Sequence, residues 1–292
     1  MLTLLQISDL HFGPLYRPEV GEALLRAAAD MHVDVIVASG DFTQRAKSVQ
    51  FAAARAFLDR LPAVPQIVVP GNHDIPLYRL YERLLNPYAL YRQYISPELD
   101  TVLVRDDATI VALNTTAPLR KITDGQIKPW QLDFAQSAFR AAPAQAAKIV
   151  VAHHHFAPAP DSQRKRDATL GAQAALECFR GLGVELILGG HLHRSYTASS
   201  LDAFPPADPP PASDSFPASD SAAGILIVEC GTSTSSRGRG RERRKNSLNV
   251  IQLDDRTTTV THWLFSPSAG SFVPASRHVF PRRGGLFFGR PE

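Results

Sequence analysis

Strand-length apolar runs alternate with helix-length segments through the first two thirds of the chain, and this alternation limits the fold more than any other feature. The runs are Leu2 to Ile7, Val33 to Ala38, Gln66 to Val69, Thr109 to Leu113, Lys148 to Ala152 and Val184 to Leu188. They are near-continuously apolar, as strands covered on both faces must be. Between them, residues 19–31 place Val20, Leu24, Ala27, Ala28 and Met31 at helical spacing, and residues 48–61 and 130–142 do the same. The pattern predicts an α/β fold with helices packed on a sheet. From Gly224 onward Ile225 to Cys230, Leu248 to Leu253 and Thr258 to Phe265 follow one another without helices, so this part is expected to be antiparallel.

At 292 residues, 44% hydrophobic and 20% charged, the chain can bury a sizeable core and falls outside the disordered and fibrous classes. One large domain over 1–265 is expected, with a C-terminal extension over 266–292 that is rich in Pro, Gly and Arg and wraps the surface or frays. Residues 199–223, with prolines at 205, 206, 209, 210, 211 and 217, read as a surface insertion that holds neither a ladder nor a helix. No apolar run approaches the ~20 residues of a membrane helix. Residues 1–7 show no basic leader, and Cys178 and Cys230 are too few for a disulfide framework, so a cytoplasmic location is expected and no membrane partner. The net charge of +3 is local in origin, since Arg237 to Lys245 alone carries six basic residues against Glu242. That run has no interleaved aromatics. It reads as a solvated loop rather than a nucleic-acid platform, although a phosphate contact through it stays open.

Ten histidines occur, and seven of them stand where predicted strands end. Asp9-Leu10-His11 closes the first strand, Gly40-Asp41 the second and Gly71-Asn72-His73-Asp74 the third, followed by His153-His154-His155 and Gly190-His191-Leu192-His193. Loops at the carboxyl ends of strands share one crevice in an open α/β sheet, so the five blocks are expected to converge. Carboxylate, imidazole and amide oxygen without thiolate suit Mn, Fe, Zn or Ni. The donors exceed what one ion takes, which points to two ions sharing a carboxylate. Packed without a cation, these charges would be costly to bury. His32, His262 and His278 lie outside the blocks and read as structural.

These five blocks, in this order from Asp9 to His193, resemble the calcineurin-like metallophosphoesterase superfamily, whose pattern is Asp-x-His, Gly-Asp, Gly-Asn-His-Asp, His and Gly-His-x-His. The stretches Ile7-Ser8-Asp9-Leu10-His11-Phe12 and Val69-Pro70-Gly71-Asn72-His73-Asp74 are most similar to the branch that contains bacterial cyclic-nucleotide phosphodiesterases. The resemblance implies a four-layer α/β/β/α sandwich of two packed mixed sheets with flanking helices, the strands after Gly224 fitting the second sheet. It implies two divalent or trivalent transition-metal ions, one held by Asp9, His11 and His193 and the other by Asn72, His153 and His191, with Asp41 between them. It implies that His73 meets the substrate as general acid or transition-state stabiliser, with Asp74 orienting its ring, and that a hydroxide between the ions is the nucleophile. His155 stands where the family usually has proline. His153 is preferred as the ligand because it directly follows the strand, with His154 as the alternative.

The expected function is therefore a dinuclear metal-dependent phosphohydrolase acting on a small phosphoester, foremost a phosphodiester, with cyclic nucleotides among the candidates. A phosphomonoesterase or nucleotide pyrophosphatase on the same site, and a non-catalytic metal-bound interaction module, are the alternatives. Arg194, beside His193, and Arg237, beyond the Gly231 to Ser236 turn, are candidate substrate contacts. Tyrosines 78, 81, 88, 91 and 94 either pack a helical cap or stack a base. Oligomeric state is left open by the residues.

Overall fold

A computed structural model describes residues 1–121, 123–158, 169–204 and 224–282. Two six-stranded sheets pack face to face. The first contains β1 (Leu2–Ile7), β2 (Val35–Ala38), β3 (Gln66–Val68), β10 (Ser247–Leu253), β11 (Thr257–Ser266) and β12 (Ser271–Pro281), in the order β12-β11-β10-β1-β2-β3. The second contains β4 (Thr101–Val104), β5 (Ala108–Leu113), β6 (Ala147–Ala152), β7 (Leu186–Gly189), β8 (Tyr196–Ser199) and β9 (Leu226–Glu229), in the order β4-β5-β6-β7-β9-β8. Parallel strands β1, β2 and β3 in one sheet and β5, β6, β7 and β9 in the other all end at the same side of the sandwich as the polar blocks.

Side-chain alternation sorts the core into layers. Leu2, Leu4, Val35 and Val37 of the first sheet meet Ile149, Val151, Leu186, Leu188 and Val228 of the second. On its outer face the first sheet turns Leu5, Ile7 and Ile36 toward α1 (Pro18–Asp30) and α2 (Ser48–Leu58), which bury Val20, Leu24, Phe51 and Leu58. The outer face of the second sheet turns Val111, Val150 and Ile187 toward α5 (Pro129–Arg140) and α6 (Ala172–Gly181), which bury Ala135, Phe139, Leu176 and Phe179. Proline in the first turn starts both α1 and α5, where a missing N–H costs nothing. Two short helices, α3 (Leu80–Leu85) and α4 (Ala89–Tyr94), follow β3, and one further helical turn, α7 (Ser200–Ala203), follows β8. This is the expected four-layer sandwich.

Three sequence expectations are corrected. β9 leaves the antiparallel C-terminal group and lies parallel to β7 in the second sheet, whereas β10 to β12 extend the first sheet beside β1. A four-residue apolar run carries no mark of which sheet it joins. The extension expected after Ser266 instead returns as β12, a long edge strand paired to β11 through to Pro281; residues 283–292 lie outside the described residues. Its mostly exposed residues reflect a strand held by the backbone ladder at a sheet edge, with Pro274 at the register shift, where a lost N–H is tolerated. The insertion expected over 199–223 starts later, because Ser199 closes β8 and caps α7 by accepting from the Leu201 N–H; residues 205–223 lie outside the described residues. Among the described residues no helix is long and apolar enough to cross a membrane.

One polar residue crosses the inter-sheet core near the site. Gln6 of β1 donates to the carbonyl oxygens of Gly189 at 2.8 Å and Val228 at 3.3 Å in the opposite sheet, while its Oε1 accepts from Asn249 at 2.9 Å. Gln6→Leu keeps the volume but removes one donor from each of two buried carbonyls and one acceptor from the Asn249 amide, which leaves Gly189 O with the Cys230 N–H and Asn249 with Glu229 O. We expect a loss of ~2 kcal/mol in urea unfolding, with weaker metal binding because the two sheets each carry half of the site. An unchanged midpoint and unchanged metal affinity would show that the bridge is idle.

Candidate metal centre

The loop after β1 is laced to that after β2, and the loop after β6 to that after β7, by main-chain hydrogen bonds before any side chain is considered. Asp9 donates to Gly40 O at 3.0 Å, His11 to Asp41 O at 2.9 Å, and Gly190 to His153 O at 3.0 Å. The loop after β9 adds side-chain supports: Thr232 Oγ1 donates to Asp9 O, Thr234 Oγ1 donates to Leu10 O, and the Ser8 N–H donates to Ser233 Oγ. Asp9, His11, Asp41, His191 and His193 all have positive φ, between 51° and 69°. None is glycine. Left-handed backbone at a non-glycine residue costs roughly 1–2 kcal/mol, so five such residues in one cluster mark side chains retained for what they do.

Two donor clusters result. Asp9, His11, Asp41 and His193 form one, and His153, His154 and His191 the other, each set of donor atoms lying within 4.8 Å. In the first, Nε2 of His193 stands 3.0 Å from Asp9 Oδ1 and 3.1 Å from His11 Nε2, and His11 Nε2 lies 3.5 Å from Asp9 Oδ1. In the second, Asn72 Oδ1 lies 2.9 Å from His191 Nδ1 and 3.3 Å from His153 Nε2. Asp41 divides itself between them, with Oδ2 3.6 Å from His11 Nε2 and Oδ1 3.5 Å from His153 Nε2. Asp9, His11, Asp41, His153 and His154 are essentially inaccessible to solvent.

The donor chemistry fits cations. Nδ1 of His153 faces Ser39 O at 2.8 Å, and Nδ1 of His193 faces Arg237 O at 3.1 Å. A carbonyl oxygen only accepts, so both Nδ1 atoms carry hydrogen, and in the neutral rings both Nε2 lone pairs face the clusters. Asp9 Oδ1, Asp41 Oδ2 and His154 Nε2 are buried without a hydrogen-bond partner among the described residues. Acceptors 3.0–3.6 Å apart are spaced as donors around an ion about 2.1 Å from each would be. Without a cation, strong charge coupling takes its place. Burial would push the Asp9 and Asp41 carboxyls up, but His193 beside Asp9 and His153 beside Asp41 outweigh it and hold both well below the usual range. Burial pulls His153 down, yet the Asp41 carboxylate drives it up to about 10. His11 is depressed to about 4 by burial, and His154 and His191 also fall well below the ordinary value through burial reinforced by neighbouring imidazoles.

Of the histidine triplet, His153 reaches both Asp41 and Asn72. His154 lies in the second cluster with its Nδ1 2.8 Å from Thr115 Oγ1, and His155 stacks on His191 at 5.8 Å. His73 sits beside the first cluster, its ring centroid 4.8 Å from that of His11. The resemblance implied that Asp74 orients the His73 ring, but the ring's Nδ1 faces Gln44 O at 3.0 Å. The Asp74 carboxylate instead accepts from the main-chain N–H groups of Gly71, Phe42 and Thr43, which ties the Gly71–Asp74 turn to the loop after β2. Burial and the Asp41 charge push Asp74 up to about 7, against those three donors.

Within the basic run, only Arg237 turns into the site. Its Nη1 lies 3.0 Å from His73 Nε2 and 3.3 Å from Gln44 Oε1. Arg239, Arg241, Arg243, Arg244 and Lys245 are exposed, and Glu242 anchors the loop by accepting from the Ser195 N–H and Ser247 Oγ. Arg194 runs along this loop, where a Cβ on Gly240 would stand 3.4 Å from its Nη1. The sequence reading missed Ser39 and Gln44, which orient His153 and His73 through main-chain carbonyls that any residue type supplies. Three of the five tyrosines are packing residues: Tyr91 is fully buried, Tyr94 stacks on Phe51, and Tyr88 bonds Thr116. Tyr78 and Tyr81 are 76% and 78% exposed, and Arg45 lies over the Tyr78 ring.

Residues 2–195 match the family model described as calcineurin-like phosphoesterase. Among curated proteins the chain is similar to a probable cyclic nucleotide phosphodiesterase of Rhodococcus erythropolis, 26% identical over 208 residues that make up 67% of this chain and 66% of the relative. It is also similar to a cAMP/cGMP dual specificity phosphodiesterase of Mycobacterium tuberculosis, 28% identical over 211 residues, covering 67% of this chain and 63% of that protein. The chain thus spans slightly less than two thirds of the length of these relatives. Among solved structures, purple acid phosphatase PPD1 from yellow lupin superposes with a TM-score of 0.65 at 11% identity, over 97% of this chain and 54% of the phosphatase. GAP50, the anchor in the inner membrane complex of Plasmodium, gives 0.58 at 14% identity, over 98% of this chain and 89% of GAP50. At such identities the likeness is one of fold alone.

Proposed function

The chain belongs to the calcineurin-like phosphoesterase family, and from that premise we propose that it is a dinuclear metal-dependent phosphodiesterase with 3',5'-cyclic nucleotides as its foremost substrate class. The observation that carries the reading is the divided Asp41 carboxylate, one oxygen toward each cluster of inward lone pairs. In this reading Asp9, His11 and His193 hold one ion, Asn72, His153 and His191 the other, and Asp41 serves both. The ions, Mn, Fe, Zn or Ni, would supply charge neutralisation at the phosphate and activation of water.

The chain's own residues do the rest. Ser39 O and Arg237 O hold the ligand tautomers of His153 and His193. Asp74 braces the turn that presents Asn72 and His73, and Gln6 keeps the two sheets in step. Burial of the carboxylates excludes competing water and strengthens every charge interaction in the site. Arg237 gives an anionic substrate a cation beside the clusters. The diester preference is supported by the two curated relatives, both described as cyclic nucleotide phosphodiesterases; the donor clusters themselves would serve a monoesterase equally well.

Metal-reconstituted protein should hydrolyse bis(p-nitrophenyl) phosphate, with activity lost on chelation and restored by Mn²⁺. A panel of cyclic nucleotides, glycerophosphodiesters, dinucleotides and monoesters then ranks substrates by kcat/KM. The highest value on a cyclic nucleotide is expected. A monoester or nucleotide pyrophosphate turned over fastest would replace the diesterase reading, and two bound ions with no turnover of any ester would make the chain a metal-bound interaction module.

A further inference from the structure

Glu242 is the one acid between Arg237 and Lys245, and it is buried where Arg241 and Arg243 on either side are exposed. Its side chain reaches inward over Gly231, where a Cβ would stand 2.1 Å from Oε2. Donors from three separate parts of the chain meet the carboxylate. Oε1 lies 2.9 Å from the main-chain nitrogen of Ser195 and 3.2 Å from Nε2 of His262 in β11, and Oε2 lies 2.8 Å from Oγ of Ser247, the first residue of β10.

A row of hydrogen bonds across three neighbouring strands fixes how His262 meets that carboxylate. Gln6, Asn249 and His262 are cross-strand partners on β1, β10 and β11. The Gln6 amide nitrogen faces the carbonyl oxygens of Gly189 and Val228, so its Oε1 accepts from Nδ2 of Asn249 at 2.9 Å. Nδ2 of Asn249 also donates to Glu229 O, which leaves Oδ1 turned toward His262 Nδ1 at 3.0 Å. An amide oxygen only accepts, so Nδ1 carries hydrogen. A neutral ring would then turn the Nε2 lone pair on the Glu242 carboxylate, acceptor against acceptor. With a second hydrogen on Nε2 the contact becomes a charge-assisted hydrogen bond. Burial would push the Glu242 carboxyl up, but His262, Ser247 Oγ and the Ser195 N–H outweigh it and hold the group below its ordinary value.

The same loop reaches the candidate ligands. The Arg239 N–H donates to His193 O at 3.0 Å, Arg237 O faces Nδ1 of His193 at 3.1 Å, and the Arg237 guanidinium enters the site with Nη1 3.3 Å from Gln44 Oε1. Arg239, Arg241, Arg243, Arg244 and Lys245 are exposed and repel one another, which favours a loop spread into solvent. The Glu242 contacts oppose that spread. We propose that Glu242 and His262 are positioning residues, an imidazolium–carboxylate latch that binds the basic loop to the first sheet and so sets Arg237 beside the donor clusters. Its bearing on substrate rests on the phosphohydrolase reading above, whereas the latch itself does not.

The test uses the full chain and three readouts. In ¹⁵N NMR of histidine-labelled, metal-free protein at neutral pH, with H262Q used to assign the signals, both ring nitrogens of His262 should bear hydrogen in the wild type and only one in E242Q. A wild-type ring with a single hydrogen would overturn the proposal. In limited trypsin digestion of metal-free protein, E242Q and H262F should be cut ~10-fold faster within the basic loop, with cutting elsewhere in the chain unchanged. H262Q, whose amide places an N–H donor where Nε2 stood, should stay near the wild type. Equal loop cutting in wild type and both E242Q and H262F, H262Q as open as H262F, or faster cutting throughout the chain would each count against a latch. In kinetics with saturating Mn²⁺ on bis(p-nitrophenyl) phosphate, E242Q and H262F should raise KM ~10-fold with kcat within about threefold of wild type, and H262F/R237A should be no worse than R237A, because one residue acts through the other. A fall in kcat at unchanged KM, or multiplying losses in the double variant, would remove the action through Arg237. A wild type that turns over no ester would count against the phosphohydrolase reading, and the NMR and digestion would still decide the latch.

Discussion

Asp41→Asn is expected to lower diester hydrolysis by ~10³-fold or more and to reduce the bound metal from two ions per chain. Asparagine matches aspartate in volume and tolerates the left-handed backbone at φ 55°, so the fold should survive the change. What it removes is the negative charge that both clusters share. One oxygen of Asp41 lies 3.6 Å from His11 Nε2 and the other 3.5 Å from His153 Nε2, and an amide can turn an oxygen to only one of them. The nitrogen then presents N–H groups to the other cluster, where a cation would sit. Metal analysis, circular dichroism and steady-state rates check the three parts separately. Two ions per chain, with a rate within tenfold of wild type, would remove Asp41 from its shared position and with it the dinuclear reading.

Gly71→Ala should damage stability and activity together. Gly71 has an ordinary extended backbone, with φ −101°, so conformational freedom is not why it is there. The reason is close approach: a Cβ would stand 2.2 Å from Asp41 Oδ1 and 2.3 Å from the Asp41 main-chain nitrogen. The first is the end of a buried side chain held by the His73 N–H at 2.7 Å and the second is main chain, so the loops after β2 and β3 must separate. Overpacking of this kind costs ~1–3 kcal/mol, and displacing Asp41 by ~1 Å would cost on the order of 10²-fold in rate. Gly181→Ala is the control, since nothing lies within 4 Å of its Cβ position. Thermal unfolding of the metal-free protein separates the stability part from the loss of ions. Equal midpoints for the two variants would show that the loops yield freely, and that the approach of Gly71 to Asp41 is incidental.

The central strands were legible because burial on both faces forces an apolar run, as in β1, where all six residues are buried. Of the four edge strands only β3 was, through the run Gln66 to Val69. β8 has no fully buried residue, and β12 carries Pro274, Arg277 and His278 along an open edge, so neither shows a hydrophobic pattern. Their pairing energy lies in main-chain hydrogen bonds, which every residue except proline supplies alike. The site followed the same division. Asp9, His11, Asp41, Asn72, His153, His191 and His193 are marked by type and by their position after strands, and the structure brings them together. The Asp74 contacts were not readable, because they run to main-chain N–H groups of Phe42 and Thr43, some thirty residues earlier.

Residue type and order alone were enough for the layered α/β architecture and for a cluster of carboxylates and imidazoles at one end of it. Both follow from local rules, the alternation of apolar runs and the chemistry of side chains placed where strands end. Tertiary structure alone decided how those groups are arranged: that β9 joins β7, that Asp41 turns one oxygen to each cluster, and that Arg237 Nη1 comes to 3.0 Å from His73 Nε2. These depend on distances between residues far apart in the chain, and such distances exist only once both sheets have packed and the loops have met.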